Sequence, residues 1–398
     1  KEICDSRDIA KGYEKIILKE MKDYRELLKL SKEALGKHFR INPDSPQEVS
    51  ALKARAFDTA RYLIPEGITT SAAYLMSARN WSEIISLLCA SDNVTQNEIA
   101  DMLLNLLGES DLNVKGYTRE ADNLIRHTDA NCCRQNSTRK ILKYLDEKIS
   151  RKQIRHIPEN EEEAVEISFG PDSTEMLVSN YELLLNPLGS REEFEFAQED
   201  QETLGDIIFD NHDHHNLMGN IGQSGAIKIS GFASLGTLKD LNRHRSMERY
   251  IPLLHDEIDM DQELNRPNEE CVYLCNYLEI LSLSKLKKEY QSRLSETYDM
   301  IRRWRREAKE LTNKDVVDEY TKYMLPHAHA TKYIMYGSFD DIQYVVNLRT
   351  RNGGHIAYRT LTYEWLRKLS IADPIWRPLL KKIIKPSYDD KSQFVDRS

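Results

Sequence analysis

Basic charge is what this chain has too little of. Lysine and arginine number 56 against 65 aspartates and glutamates, a formal net charge of -9. Affinity for a phosphate backbone comes from clustered cations, so no general nucleic-acid surface is expected. Long apolar runs are missing as well: nowhere do about 18 apolar residues follow one another, which argues against a bilayer-spanning helix. No charged-then-apolar leader is visible, and a cytoplasmic location is the expectation. Cysteine is sparse, at Cys4, Cys89, Cys132, Cys133, Cys271 and Cys275, without a C-x-x-C spacing. These read as reduced thiols, and Cys132 and Cys133 with nearby His127 do not make a four-ligand metal set. What remains is 398 residues, 40% hydrophobic and 30% charged, ample for two cores.

Part of the chain is present twice. Residues 53–88 and 314–349 align without a gap at one constant offset, pairing Lys53, Tyr62, Pro65, Thr70, Ser77 and Leu87 with Lys314, Tyr323, Pro326, Thr331, Ser338 and Leu348. That spacing is too long for a solenoid and suits a whole domain copied once. If one copy spans roughly 250 residues, an ordinary single-domain size, the first should begin upstream of Lys1. The expected division is therefore residues 1–110 as the later part of copy one, 111–157 as a helical connection, and 158–398 as copy two.

Periodicity gives a coarse layout. Apolar residues three and four apart predict a helix over residues 13–35, closed by Gly36. Further helices are expected over residues 50–63, from Thr70 as cap through Leu88, and over residues 97–107 with Gly108 as stop. Pro158 and the acidic run Glu161 to Glu163 mark a boundary. Beyond it, residues 164–169 alternate like a strand, residues 174–185 read as helix, and Asn186, Pro187 and Gly189 as turn. A strand over residues 226–230 ends at Gly231, a helix runs from Ser234 into Arg243, and residues 270–311 form a long helical region. Arg302, Arg303, Arg305 and Arg306 around Trp304 are interleaved with Glu307 and Glu310, as on a solvated helix face.

Arg243, His244 and Arg245 are the compact group with chemistry in it. Two guanidiniums flanking an imidazole suit phosphate or an anionic ring. In the repeat, Lys322 precedes Pro326 by four residues and Arg349 follows it by 23; the matching positions of copy one are Arg61 and Leu88. His212, Asp213, His214 and His215 offer metal-type donors, but adjacent histidines seldom converge on one ion, and no metal site is expected. The turn Asn352-Gly353-Gly354-His355 reads as an ordinary bend between helices, close enough to Arg349 to wall a pocket.

These residues resemble flavin-dependent thymidylate synthases. That family shows an R-H-R triplet, then A-R-x-x-L-P, a Thr five residues after the Pro, N-x-R, and a helix ending in L-R. Here the pattern reads Arg243-His244-Arg245, then Lys322 through Leu325-Pro326, Thr331, Ser338 and Leu348-Arg349. Copy one reads Ala60-Arg61 through Ile64-Pro65, Thr70 and Ser77-Ala78-Arg79, and later Gln96-Asn97-Glu98-Ile99, which is similar to the family's A-Q-x-E-I.

The resemblance implies an α/β (α+β) fold, a mixed sheet with long flanking helices, present as two fused copies of which the first is incomplete at its N-terminus. It implies FAD near Arg243, His244, Arg245 and His215. A pyrimidine nucleotide such as dUMP would be held by Arg61, Arg79, Lys322, Ser338 and Arg349, with Arg349 also the catalytic residue that polarises the pyrimidine ring. NADPH and methylene-tetrahydrofolate would be co-substrates, and the assembly a homo-oligomer, a dimer of fused pairs. Three departures count against it. Only Ser246-Met247-Glu248 separates the triplet from Arg249-Tyr250, Lys322 replaces a bidentate Arg, and Asp340 stands where the family has Arg. Complementary losses in the two copies suggest one shared site built from Arg243, His244, Arg245, Arg349 and Arg61. The competing reading is a non-catalytic paralogue used for assembly or nucleotide sensing; a third is flavin-dependent alkylation of another pyrimidine nucleotide.

Overall fold

The computed structural model describes residues 7–68, 76–91, 94–108, 128–130, 140, 144, 158–169, 177, 197–219, 222–223, 225–254 and 260–397. In chain order these form α1 (Arg7–His38), α2 (Pro46–Ala60), α3 (Ala78–Cys89), α4 (Val94–Gly108), β1 (Glu166–Phe169), α5 (Gln198–Asn211), β2 (Ile227–Ser234), α6 (Leu235–Leu241), β3 (Glu248–Tyr250), α7 (Met260–Leu264), α8 (Ser284–Lys309), α9 (Lys314–Met324), β4 (Ala330–Gly337), α10 (Phe339–Arg349), α11 (Ile356–Ala372), α12 (Arg377–Lys382) and α13 (Lys391–Val395). The architecture is α/β, many helices and a small sheet ordered β1-β2-β4-β3. Every strand pairing among the described residues is antiparallel, which corrects the expected mixed sheet. The long excursion from β2 through α8 and α9 brings β4 back in the opposite direction, with Ser234 opposite Ala330 and Ile227 opposite Gly337. Among the described residues no helix is long and apolar enough to cross a membrane.

Contacts divide the chain into two units that interleave along the sequence. One comprises Lys1–Ile9, Ile68–His156 and Arg305–Thr321; the other Ala10–Gly67, Ile157–Trp304 and Lys322–Ser398. In the first, α3 and α4 pack together, Ser86 Oγ donates to Asp129 O at 2.7 Å, and Arg305 pairs with Asp318. The second holds the sheet and an apolar core joining Leu27, Leu52, Tyr62, Tyr277, Tyr290 and Ile356. Phe39 stacks on Phe394 at 4.0 Å, and Trp365 Nε1 donates to Tyr333 Oη at 3.0 Å beneath β4.

Several boundaries differ from expectation. Helix α1 runs through Gly36 to His38, because a Cβ at residue 36 would sit 3.2 Å from Leu52 Cδ2. That glycine serves close packing, not termination. Strand β2 continues past Gly231, whose backbone lies against Ala164 O: a Cβ would be 2.8 Å from it. Residues 270–283 form short 3-10 turns before α8, because backbone pairing of Tyr273 N to Ala328 O at 2.9 Å takes a donor a helix would need. Helix α3 begins at Ala78 with Ser77 as its cap, Oγ accepting Asn80 N at 3.2 Å. Thr70, the expected cap, lies outside the described residues, as do the 111–127 stretch, Cys132, Cys133 and nearly all of the 174–189 stretch.

The repeated segments share their punctuation. Ser77 caps α3 and Ser338 caps α10, where Oγ accepts Asp341 N at 3.2 Å. Pro65 and Pro326 face each other in an antiparallel bridge. Around them the bonds are reciprocal: Glu66 N to Leu325 O at 2.9 Å answers His327 N to Ile64 O at 2.8 Å, and Gly67 N to Tyr323 O answers Ala328 N to Tyr62 O, both 2.8 Å. Each bond of one segment has its exchanged counterpart, the signature of a local two-fold relation.

Gly67 pairs so closely that an added Cβ would lie 2.7 Å from Tyr323 Cβ and 2.9 Å from Tyr323 O. Gly67→Ala should therefore destabilise the protein by about 1 to 3 kcal/mol, the usual cost of overpacking a filled site. Denaturant unfolding checks this; an unchanged midpoint would refute tight pairing at this ladder.

Candidate functional site

Helix α6 has only seven residues, and its two ends are satisfied by different groups. At the start, Ser234 Oγ accepts Thr237 N at 3.2 Å, and Leu235 N and Gly236 N donate to His329 O and His327 O at 3.0 and 2.8 Å. Glu161 joins there, its Oε1 accepting Ser234 N at 2.8 Å and Thr237 Oγ1 at 3.1 Å. At the far end, guanidiniums meet the outgoing carbonyls. Arg349 Nη2 donates to Asp240 O at 3.1 Å, and Arg249 Nη1 to Asn242 O at 2.9 Å and His244 O at 2.6 Å. Burial pushes Glu161 up to about 7 against the hydrogen bonds from Ser234 and Thr237, while guanidiniums at the end of a helix are favourably placed toward its dipole.

The side chain of Asp240 gathers the rest. Its Oδ2 accepts Arg61 Nη2 at 2.7 Å, and its Oδ1 lies 3.5 Å from Arg243 Nη2. Arg61 Nη2 also reaches Gly236 O at 3.3 Å, while its buried Nε has no hydrogen-bond partner. His244 is buried, and Arg349 Nε donates to its Nε2 at 2.7 Å. Since a guanidinium only donates, Nε2 carries the lone pair and Nδ1 the proton. Burial, then the charges of Arg349 and Arg249, push this imidazole down to about 4. Tyr344 meets the His244 ring edge-on at 5.7 Å, and Arg349 lies over the Tyr358 ring at 5.1 Å.

Behind the cluster, buried Arg55 donates to Gly354 O at 2.5 Å, Asn352 O at 2.7 Å, Asp396 O at 3.1 Å and Phe394 O at 3.3 Å. The turn at residues 352–355 is thereby fixed from within. His355 donates from Nε2 to Asp58 O at 3.1 Å and accepts Ala357 N at Nδ1, at 3.0 Å. Burial drives Asp58 up to about 6, with Arg61 and Arg55 opposing the shift.

Asp340 accepts Gly219 N at 2.8 Å and Met218 N at 3.3 Å, and its own N–H donates to Gly222 O at 2.9 Å. A Cβ on Gly222 would strike its carboxylate at 2.1 Å. The carboxylate that stands in place of a family Arg is thus an anchor for the loop after His212–His215. Along the same face of α10, Gln343 is wholly buried with neither amide atom partnered, and Asn347 Nδ2 is also without a partner.

The structure brings Arg61, Arg243, His244 and Arg349 together around Asp240. Arg245 is exposed beside them. His215 is exposed, its N–H bonded to Asp213 Oδ1 at 2.7 Å. Ser338 is committed to capping α10, eleven residues and roughly 16 Å along the helix from Arg349. Lys322 is half-buried in the last turn of α9, and Arg79 is exposed in the first turn of α3, within the other unit. Sequence reasoning missed Asp240, Asp58 and Arg249. An acid one helical turn before His244 was the available signal for Asp240, since residues four apart share a helix face.

The family model described as thymidylate synthase complementing protein matches residues 1–110. That is consistent with a member of the flavin-dependent thymidylate synthase family, and the match falls on the segment carrying Arg61 and Arg79. No curated protein matches the chain.

His244 should show its surroundings on titration. Its neutral state stabilises the fold fully above the ordinary histidine value of 6.5, and that contribution is lost as pH falls toward about 4. Asp58 works oppositely: the stability tied to its protonated form is present below 3.8 and lost as pH rises through about 6. Because the two overlap, the imidazole itself is the proper probe. NMR should find His244 neutral down to about pH 5, and Arg349→Gln should move its titration upward, though not fully to the ordinary value because burial persists. A wild-type imidazole titrating near 6.5 would exclude the Arg349 to His244 bond.

Proposed function

We propose that this chain is a fused pair of thymidylate synthase-like copies that binds a pyrimidine nucleotide, with dUMP the first candidate, at the cluster around Asp240. The carrying observation is that Arg61, from one repeat, and Arg349, from the other, both bond to Asp240, at 2.7 and 3.1 Å. The reciprocal bonds about Pro65 and Pro326 support reading the repeat as two copies of one unit.

The residues fit an acceptor-rich planar ligand. Arg61 Nε, Asn347 Nδ2 and the Gln343 amide are buried donors without partners, and leaving such groups unpaired costs roughly 1 to 3 kcal/mol each. Exposed Arg243 and Arg245 would hold phosphates, with His215 nearby in sequence to the loop that Asp340 anchors. FAD, when bound, would supply hydride transfer, with NADPH as reductant and methylene-tetrahydrofolate as carbon donor. The chain's own contribution is electrostatic. Arg349 is oriented by His244, which accepts at Nε2 and stays neutral, and the guanidinium's other N–H groups would address a pyrimidine carbonyl. Lys322, Arg79 and Ser338 are secondary in this reading; Ser338 already caps α10. A cytoplasmic location and a homo-oligomer of fused pairs complete it.

One observation favours the scaffold alternative. The donors of Arg61 and Arg349 are largely spent on Asp240, Gly236 and His244, as in a purely structural brace.

Calorimetry separates the two. On the nucleotide-binding reading dUMP binds, and Arg61→Lys weakens it at least tenfold despite conserving charge, because an ammonium cannot replace a bidentate guanidinium. Visible absorbance of the purified protein, alone and after adding FAD, reports the flavin. A protein that takes up neither FAD nor dUMP would leave the scaffold.

A further inference from the structure

Three segments far apart in the chain converge on one group of buried rings. Phe39 follows the end of α1, Tyr277 lies in the 3-10 turn Asn276–Glu279 before α8, and Phe394 lies in α13. Phe39 stacks on Phe394 at 4.0 Å, and Tyr277 meets the two rings edge-on at 6.3 and 5.4 Å. Each segment also brings a polar side chain to the surface. His38 precedes Phe39, Ser282 sits in the turn Leu281–Leu283, and Asp389 precedes the cap of α13. His38 Nδ1 lies 2.8 Å from Ser282 Oγ, and His38 Nε2 lies 2.5 Å from Asp389 Oδ1.

A carboxylate oxygen only accepts, so Nε2 carries the imidazole proton and Nδ1 presents its lone pair to the Ser282 hydroxyl. A hydroxyl bonded to an imidazole that a carboxylate orients is the arrangement of an activated serine, recognised by geometry and roles and not by chain order. The neighbouring Asp390 is spent on capping α13, its Oδ1 accepting Ser392 N at 2.8 Å. Packed aromatic residues beside all three groups hold their spacing. Ser282 and Asp389 are exposed and His38 is half-buried, so a substrate can reach them from solvent. Leu281, next to Ser282, is 89% exposed and offers an apolar contact to a small acyl group.

We propose that Ser282, His38 and Asp389 form a hydrolytic site for small carboxylic esters, separate from the Asp240 cluster and independent of the nucleotide reading. Ser282 Oγ attacks the ester carbonyl carbon while His38 Nδ1 takes the hydroxyl proton. The bond from carbonyl carbon to leaving oxygen then breaks, and that oxygen receives the proton from Nδ1 as the alcohol departs. Water repeats the sequence on the acyl-serine, releasing the carboxylic acid and restoring Ser282. Asp389 is a positioning residue, keeping the proton on Nε2.

Two probes test this on the whole chain: hydrolysis of 4-nitrophenyl acetate, and labelling by an alkyl fluorophosphonate, whose fluoride a serine oxygen displaces. The wild type should turn over the ester and carry the label on Ser282, located by peptide mass spectrometry. Ser282→Ala should lose both, and His38→Gln should lower kcat roughly a hundredfold, the usual share of a positioned base. Asp389→Asn should lower kcat with KM unchanged, because an amide donating to Nε2 forces the proton onto Nδ1. Exposed pairs of this kind add little to stability, so all three variants should melt with the wild type. A label on another residue, an unlabelled wild type, or an unchanged kcat in any of the three variants would overturn the proposal.

Discussion

Four backbone hydrogen bonds about Pro65 and Pro326 are the constraint on which the site depends. They join Tyr62, Ile64, Glu66 and Gly67 to Tyr323, Leu325, His327 and Ala328. Glu66 and His327, equivalent by the offset, meet across the same point at 3.2 Å. Proline lacks an N–H, so each sits where the ladder asks nothing of its nitrogen. The bonded residues lead directly into Arg61 on one side and into the carbonyls of His327 and His329, which hold α6, on the other. Fixing the crossing point of two segments thus fixes a guanidinium relative to a helix.

Helix α6 then acts as a charge-sorting element. It receives the hydrogen-bonding carboxyl of Glu161 at one end and the cations of Arg349 and Arg249 at the other, the latter in line with its dipole. Asp240 within it lets cations from distant parts of the chain meet at one residue, Arg61 on its carboxylate and Arg349 on its backbone carbonyl, a geometry that like charges would otherwise resist. Burial of His244 and Asp58 follows from the same crowding. One is held neutral by losing its proton and the other is driven toward neutrality by keeping it, which is how low-dielectric surroundings treat groups of opposite charge type.

The sequence was legible where a residue type has one dominant use. A helix does start after Ser234, the 3.6-residue period of α1 marked its buried stripe, and the R-H-R triplet pointed to the cluster around Asp240. It misled where glycine has two uses. Gly36 and Gly231 looked like terminators but admit close neighbours, which only tertiary structure reveals. The region 270–283 carried helical periodicity, yet its backbone donors were claimed by the segment before β4, a partner more than 50 residues away. The signal for Asp240, an acid one turn before His244, was passed over because a lone acid near a polar helix end is ordinarily solvated. Ser338 was assigned to substrate by resemblance, and local capping chemistry claimed its hydroxyl instead.

Arg55 links segments that the chain delivers at widely separated times. Its guanidinium is closed by carbonyls of Phe394 and Asp396, the former 339 residues away. During synthesis, a cation destined for full burial must wait until those carbonyls exist, and until then it favours keeping α2 hydrated. Loop closure over such a distance costs entropy before any contact offsets it. One side chain thereby ties the turn at 352–354 and the segment at 394–396 to α2, and its guanidinium is fully satisfied only when both are in place.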